Sequence, residues 1–100
     1  MPIAKKWSDY KKKNVQDEIN LYAVYELGNS EEVLYIGEGQ LKVRLMAHFP
    51  DGKEPVIGAS GYRYELTGSK KKAVQRQNAL LADFFKTHKR LPKYNQQKKA

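Results

Sequence analysis

Two short runs of aromatic and β-branched residues, joined by a turn cluster, constrain this chain more than any other feature. Residues Ile19–Leu27 (INLYAVYEL) hold no Gly or Pro and read as a strand. Val33–Gly37 (VLYIG) reads as a second strand. Gly28-Asn29-Ser30 between them is a turn cluster, so the pair predicts a β-hairpin. The loop Gly37-Glu38-Gly39 is expected to break the second strand.

Past the hairpin the period changes. In Gln40–Phe49 (QLKVRLMAHF), Leu41, Leu45 and Phe49 recur at helical spacing, and Pro50-Asp51-Gly52 ends the run. Residues 51–60 read as a loop. Gly61–Leu66 (GYRYEL) alternates Tyr62, Tyr64 and Leu66 with Arg63 and Glu65 and predicts a third strand. Thr67 or Ser69 can cap a long helix that runs to about His88, with Val74, Leu81, Phe84 and Phe85 expected on one face. The expected fold is α/β in the α+β sense: a three-stranded, mainly antiparallel sheet flanked by helices, in the order β-β-α-β-α.

Residues 1–18 are open to two readings, a basic arm or a short helix. Trp7 and Tyr10 could share a helical turn or dock as extended chain. Residues 19–96 make the domain and 97–100 a basic tail. One hundred residues suffice for one domain with a modest core. With no Cys there is no disulfide, thiolate metal site or Cys nucleophile. The sequence shows neither an apolar membrane span nor a signal-like start, so a cytoplasmic protein is expected, without membrane or small-molecule cofactor, monomeric or weakly dimeric.

The net charge of +8 is unevenly spread: residues 69–100 carry ten basic side chains and one acidic, against four and seven in residues 19–68. Such a field attracts polyanions. Lys42, Lys70, Lys71, Lys72, Arg76, Lys89 and Arg90 are the candidate phosphate contacts, with a solvated charged face as the plain alternative for any one of them. Lysines at a helix N-terminus oppose its dipole, which hints at another use for Lys70–Lys72.

The hairpin sets Tyr25 and Tyr35 on paired strands, and Arg44 and His48, four apart, share a helix face. Gln77 points from the last helix toward the core, and Asn95 follows that helix. Singly, each has an ordinary structural explanation. Together they resemble the GIY-YIG nuclease family, over about residues 19–96. Ala23-Val24-Tyr25 stands where that family has GIY, and Tyr35-Ile36-Gly37 matches YIG. Arg44 and His48 fit its R-x-x-x-H, and Pro92-Lys93-Tyr94-Asn95 its closing P-x-x-N.

The resemblance implies hydrolysis of a DNA phosphodiester with one divalent metal, Mg²⁺ or Mn²⁺, held by a single Glu on the later helix. It implies Tyr25 as general base or its support, Tyr35 positioning water or phosphate, and Arg44 stabilising phosphoryl charge. His48 would orient or relay, Asn95 would brace the site, and Gly37 would serve as a structural motif residue. One departure is serious: Gln77 stands at the position of the metal-binding Glu and offers only a neutral carbonyl oxygen. Asp83, six residues further along the helix, should point about 200° away from Leu81. Three accounts of Gln77 stay open: an inactivated variant, a natural relative that kept binding alone, or a register in which Asp83 or another acid holds the metal. An endonuclease, a non-catalytic DNA-binding module and a small basic RNA-binding protein are the competing functions.

Overall fold

The computed structural model describes residues 3–96; the basic tail at 97–100 lies outside them. The chain runs β1 (Ser8–Asp9), α1 (Lys12–Gln16), β2 (Tyr22–Gly28), β3 (Val33–Gln40), α2 (Leu41–Ala47), β4 (Gly61–Leu66) and α3 (Lys70–His88), then a 3-10 turn at Lys93–Asn95. The strands form one antiparallel sheet in the order β1-β4-β2-β3.

The sheet therefore has four strands and not the three expected. The addition is β1, whose Ser8 and Asp9 pair with Tyr62 and Gly61. Two residues are too short for any periodicity to show. Tyr10 and Trp7 separate: Tyr10 stacks on Phe49 with centroids 4.2 Å apart, while Trp7 stays largely exposed beneath Arg63. Helix α1 buries Val15.

Strand β2 starts at Tyr22 and not Ile19, which leaves Ile19 and Leu21 exposed. Side chains alternate across it. Ala23, Tyr25 and Leu27 face a core shared with Leu41 and Leu45 of α2 and with Val15. Val24 faces the other side, with Ile36 and Leu80 of α3. Glu26 is buried there and accepts a hydrogen bond from Arg63 at 2.6 Å. At the turn after β2, Asn29 Oδ1 accepts from the Glu31 and Glu32 amides and closes the hairpin.

Strand β3 does not break at Gly37-Glu38-Gly39 but runs on to Gln40, with Gly39 opposite Ala23. The glycines serve clearance. A Cβ on Gly37 would lie 2.5 Å from the Tyr25 hydroxyl, and one on Gly39 would lie 2.8 Å from the Arg44 stem. Gly39 also holds φ 137°, a value that favours glycine.

Helix α2 is Leu41–Ala47, shorter at each end than the expected Gln40–Phe49, and His48 becomes its C-cap. Ser69 caps α3, its hydroxyl accepting from the Lys72 amide at 3.2 Å. On α3 the buried positions are Ala73 and Leu80, with Leu81 and Phe84 beside them. Phe85, expected on the inner face, is exposed, because it lies about 100° round the helix from Phe84.

A tyrosine-histidine-arginine groove

The site grows from three neighbouring elements. Tyr25 sits on β2 with no exposed surface and lies opposite Gly37 on β3. Its hydroxyl is 2.7 Å from His48 Nε2. The other ring nitrogen, His48 Nδ1, is 2.7 Å from the backbone carbonyl of Glu54. A carbonyl only accepts, so Nδ1 carries the proton; in the neutral ring Nε2 then accepts from the Tyr25 O–H. His48 is itself buried, with the Tyr35 ring centred 4.9 Å away.

Glu54 holds two groups at once. Its carbonyl fixes the His48 ring, and its carboxylate accepts from Arg44 at 2.6 Å. The loop that carries it wraps the end of α2. The amides of Gly52, Glu54 and Val56 donate to the carbonyls of Phe49, Ala47 and His48. These bonds satisfy helix-end acceptors that would otherwise lack partners.

Burial is the main cause that raises the Tyr25 phenol far above its ordinary value; the neighbouring Tyr35 adds to it, and Arg44 offsets only part. The phenol is neutral at rest, and its proton has one way out, to His48. Burial works against the charge on Arg44, but hydrogen bonds with Glu54 and the Tyr25 phenol outweigh it and hold the guanidinium charged.

Tyr35, Glu38, Arg44, Lys70 and Gln77 line an open groove of about 450 Å³, with Tyr22 and Val43 at its rim. Gln77 thus reaches the same groove as Tyr35 and Arg44. Its amide N–H contacts the Ile36 carbonyl at 3.4 Å. Asn95 grips the same residue, accepting from the Ile36 amide and donating to its carbonyl, both at 2.9 Å. Asp83 is exposed and lines a separate groove with Trp7, Arg63 and Phe84.

The basic residues do not share one surface. Lys70 lines the groove and sits on Glu38, its Nζ 2.9 Å from both carboxylate oxygens. Lys71 and Lys72 are exposed in the same helical turn, and Lys42 is on α2 next to Val43. Arg76 is held by Glu65 of β4 at 2.9 Å. Arg90 contacts Glu32 at the hairpin turn, and with Lys89 it lies beyond the far end of α3, roughly 28 Å along the axis from Lys70. Glu54 is the participant that sequence reasoning left out of the site, whereas Glu38 reads from the sequence as an acid able to help an ion. Glu38 stood beside the YIG motif and was visible; Glu54 was one acid in an irregular loop.

A profile built on a domain of unknown function, DUF7508, matches residues 1–87, most of the chain. The chain belongs to the DUF7508 family. No curated protein matches it. Solved structures place this DUF7508 member on a known fold. One is the GIY-YIG N-terminal endonuclease domain of UvrC from Thermotoga maritima bound to magnesium. It matches with TM-score 0.61 at 22% identity, over 84% of this chain and 93% of that one. A Tyr-to-Phe point mutant of the same domain, bound to its catalytic divalent cation, matches with TM-score 0.62 at 21% identity, over 86% and 94%. An Asn-to-Ala point mutant matches with TM-score 0.61 at 21% identity, over 83% and 91%. This chain therefore has a GIY-YIG-like fold, and Asn95 lies beyond the span that the family profile matches.

Among the described residues that line the groove of this DUF7508 chain, Glu38 is the one acid. Among the described residues, no group of three or more His, Cys, Asp and Glu could hold a metal ion. In the groove, Gln77 is neutral and the carboxylate of Glu38 is already bound on both oxygens by Lys70. No helix among the described residues is long and apolar enough to cross a membrane.

Proposed function

We propose that this chain grips the sugar-phosphate backbone of DNA in the groove between β3, α2 and α3, at a nuclease-type site whose proton relay is complete and whose metal position is neutral. The observation that carries this reading is the chain Tyr25–His48–Glu54, buried at its two rings, with Arg44 bound to the same Glu54 and Gln77 beside it. Arg44 presents a planar fork of donors that matches phosphate oxygens. Tyr25, buried beneath the groove with its proton directed to His48, would hold Arg44 in place for the phosphate. Such a buried, mutually supporting set is a poor candidate for chance agreement with a motif, which disfavours a generic basic RNA-binding protein.

Hydrolysis of DNA as an endonuclease is the second reading, and one observation favours it. Glu38 puts a carboxylate into the same groove, its side chain 15% exposed. Released from Lys70, it could serve Mg²⁺ or Mn²⁺ where Gln77 cannot.

Supercoiled plasmid incubated with Mg²⁺ or Mn²⁺ separates the two. The expected result is that this chain shifts the plasmid in a gel without nicking it, while Gln77→Glu nicks it. Metal-dependent nicking by this chain, abolished in Glu38→Gln, would establish the endonuclease reading instead. Absence of any salt-dependent shift would remove DNA from both.

A further inference from the structure

We infer that Lys70 is the resident cation of this groove, so that the site takes a DNA phosphodiester without any divalent metal. The inference rests on the reading of the groove as a DNA-backbone site and says how that site is charged.

The charges that line the groove are Arg44, Lys70 and Glu38, and Arg44 is itself paired with Glu54, so the set is two positive and two negative. With Gln77 neutral, the groove is charge-balanced. A phosphodiester then meets two cationic donors, Arg44 and Lys70, against no net negative charge. A Glu at position 77 would leave one negative charge in excess, and an added cation would then be needed to admit an anion. The residue at position 77 and the lysine at position 70 thus form one electrostatic arrangement.

The geometry of Lys70 fits the role. Its ammonium meets both oxygens of Glu38 at 2.9 Å, which uses two of its three N–H donors and leaves one for a phosphate oxygen. The Glu38 side chain is 15% exposed and that of Lys70 59%, so the carboxylate anchors the ammonium from below while the lysine stays at the mouth. Helix stability does not account for this lysine. It is the first residue of α3, followed by Lys71 and Lys72, with no acidic residue in that turn. Three cations there oppose the helix dipole.

Fluorescence anisotropy with a short labelled DNA duplex, in EDTA and in Mg²⁺, tests the inference on the full chain. This chain should bind in EDTA at least as tightly as in Mg²⁺, which competes for the DNA phosphates. Lys70→Ala should weaken binding several-fold and lower the slope of log affinity against log salt by about one, the mark of one lost phosphate contact. Glu38→Gln should tighten binding. Gln77→Glu should weaken it in EDTA and regain it with Mg²⁺. Binding that disappears in EDTA, or a Lys70→Ala slope equal to that of the parent, would overturn the assignment of Lys70 while leaving the groove a DNA site. If no variant binds DNA under either condition, the DNA-backbone reading itself fails.

Discussion

Gly37→Ala tests the packing on which the groove depends. The new Cβ would lie 2.5 Å from the Tyr25 hydroxyl oxygen, 2.6 Å from Tyr25 Cζ and 2.6 Å from Tyr35 Cε2. Ordinary contact between such atoms is about 3.5 Å, so two rings must each yield about 1 Å. Tyr25 cannot yield cheaply. It is on the central strand β2, fully buried, with its hydroxyl bonded to His48. Tyr35, partly exposed, can move further. Overpacking of this kind costs about 1–3 kcal/mol, and with two rings struck the upper part, about 2–3 kcal/mol, applies. In a domain of this size that lowers Tm by roughly 10–20 °C. Gly61→Ala is the internal control, because its Cβ would meet its nearest neighbour, Trp7 Cε3, at an ordinary 3.4 Å. Urea and thermal unfolding of both variants against the parent measure the difference. If Gly37→Ala unfolds with the same midpoint as Gly61→Ala, the glycine is not there to clear the two tyrosines.

Two further outcomes follow from the same contacts. Asn95→Ala removes both hydrogen bonds to Ile36 and should destabilise the fold by about 1–3 kcal/mol, read by urea unfolding; an unchanged midpoint would mean that the 3-10 turn contributes nothing to the sheet. Burial raises the phenols of Tyr10, Tyr25 and Tyr62 well above their ordinary value. Above about pH 10 the unfolded chain therefore holds fewer protons on these groups than the folded one, and stability falls as pH rises. In an alkaline titration their phenolate absorbance should grow only together with loss of far-ultraviolet circular dichroism. Full ionisation near the ordinary tyrosine value, with the fold intact, would contradict that burial.

What could be read from the sequence was what local spacing encodes. Tyr25, Tyr35, Arg44 and His48 meet because a hairpin and one helical turn set their separations, and those separations are written in the chain. The fold class and the N-cap of α3 follow from equally local signals. Contacts made across the chain were not legible. Glu54, in a loop with no regular period, takes its place only when that loop folds back on α2. Strand β1 exists because β4 offers it an edge. Gly37-Glu38-Gly39 reads locally as a break, yet pairing with β2 carries the strand through it, and the glycines are there for Tyr25 and Arg44. Lys70 and Glu38 are thirty-two positions apart and meet only where α3 crosses the end of β3. The seven candidate phosphate contacts were grouped by charge alone, and charge in a sequence does not say which end of a helix faces the groove.

The paired hydrogen bonds from Asn95 to Ile36 have a consequence for solubility. Strand β3 lies at the outer margin of the sheet and is eight residues long, an open template for a strand of another molecule. The Asn95 carboxamide, one acceptor and one donor at 2.9 Å, occupies the amide and carbonyl of Ile36 just as an incoming strand would. The segment that closes the domain thereby blocks intermolecular β-pairing at the middle of a long edge strand. A chain cut short before Asn95 would present that strand to its neighbours and be prone to self-associate through it.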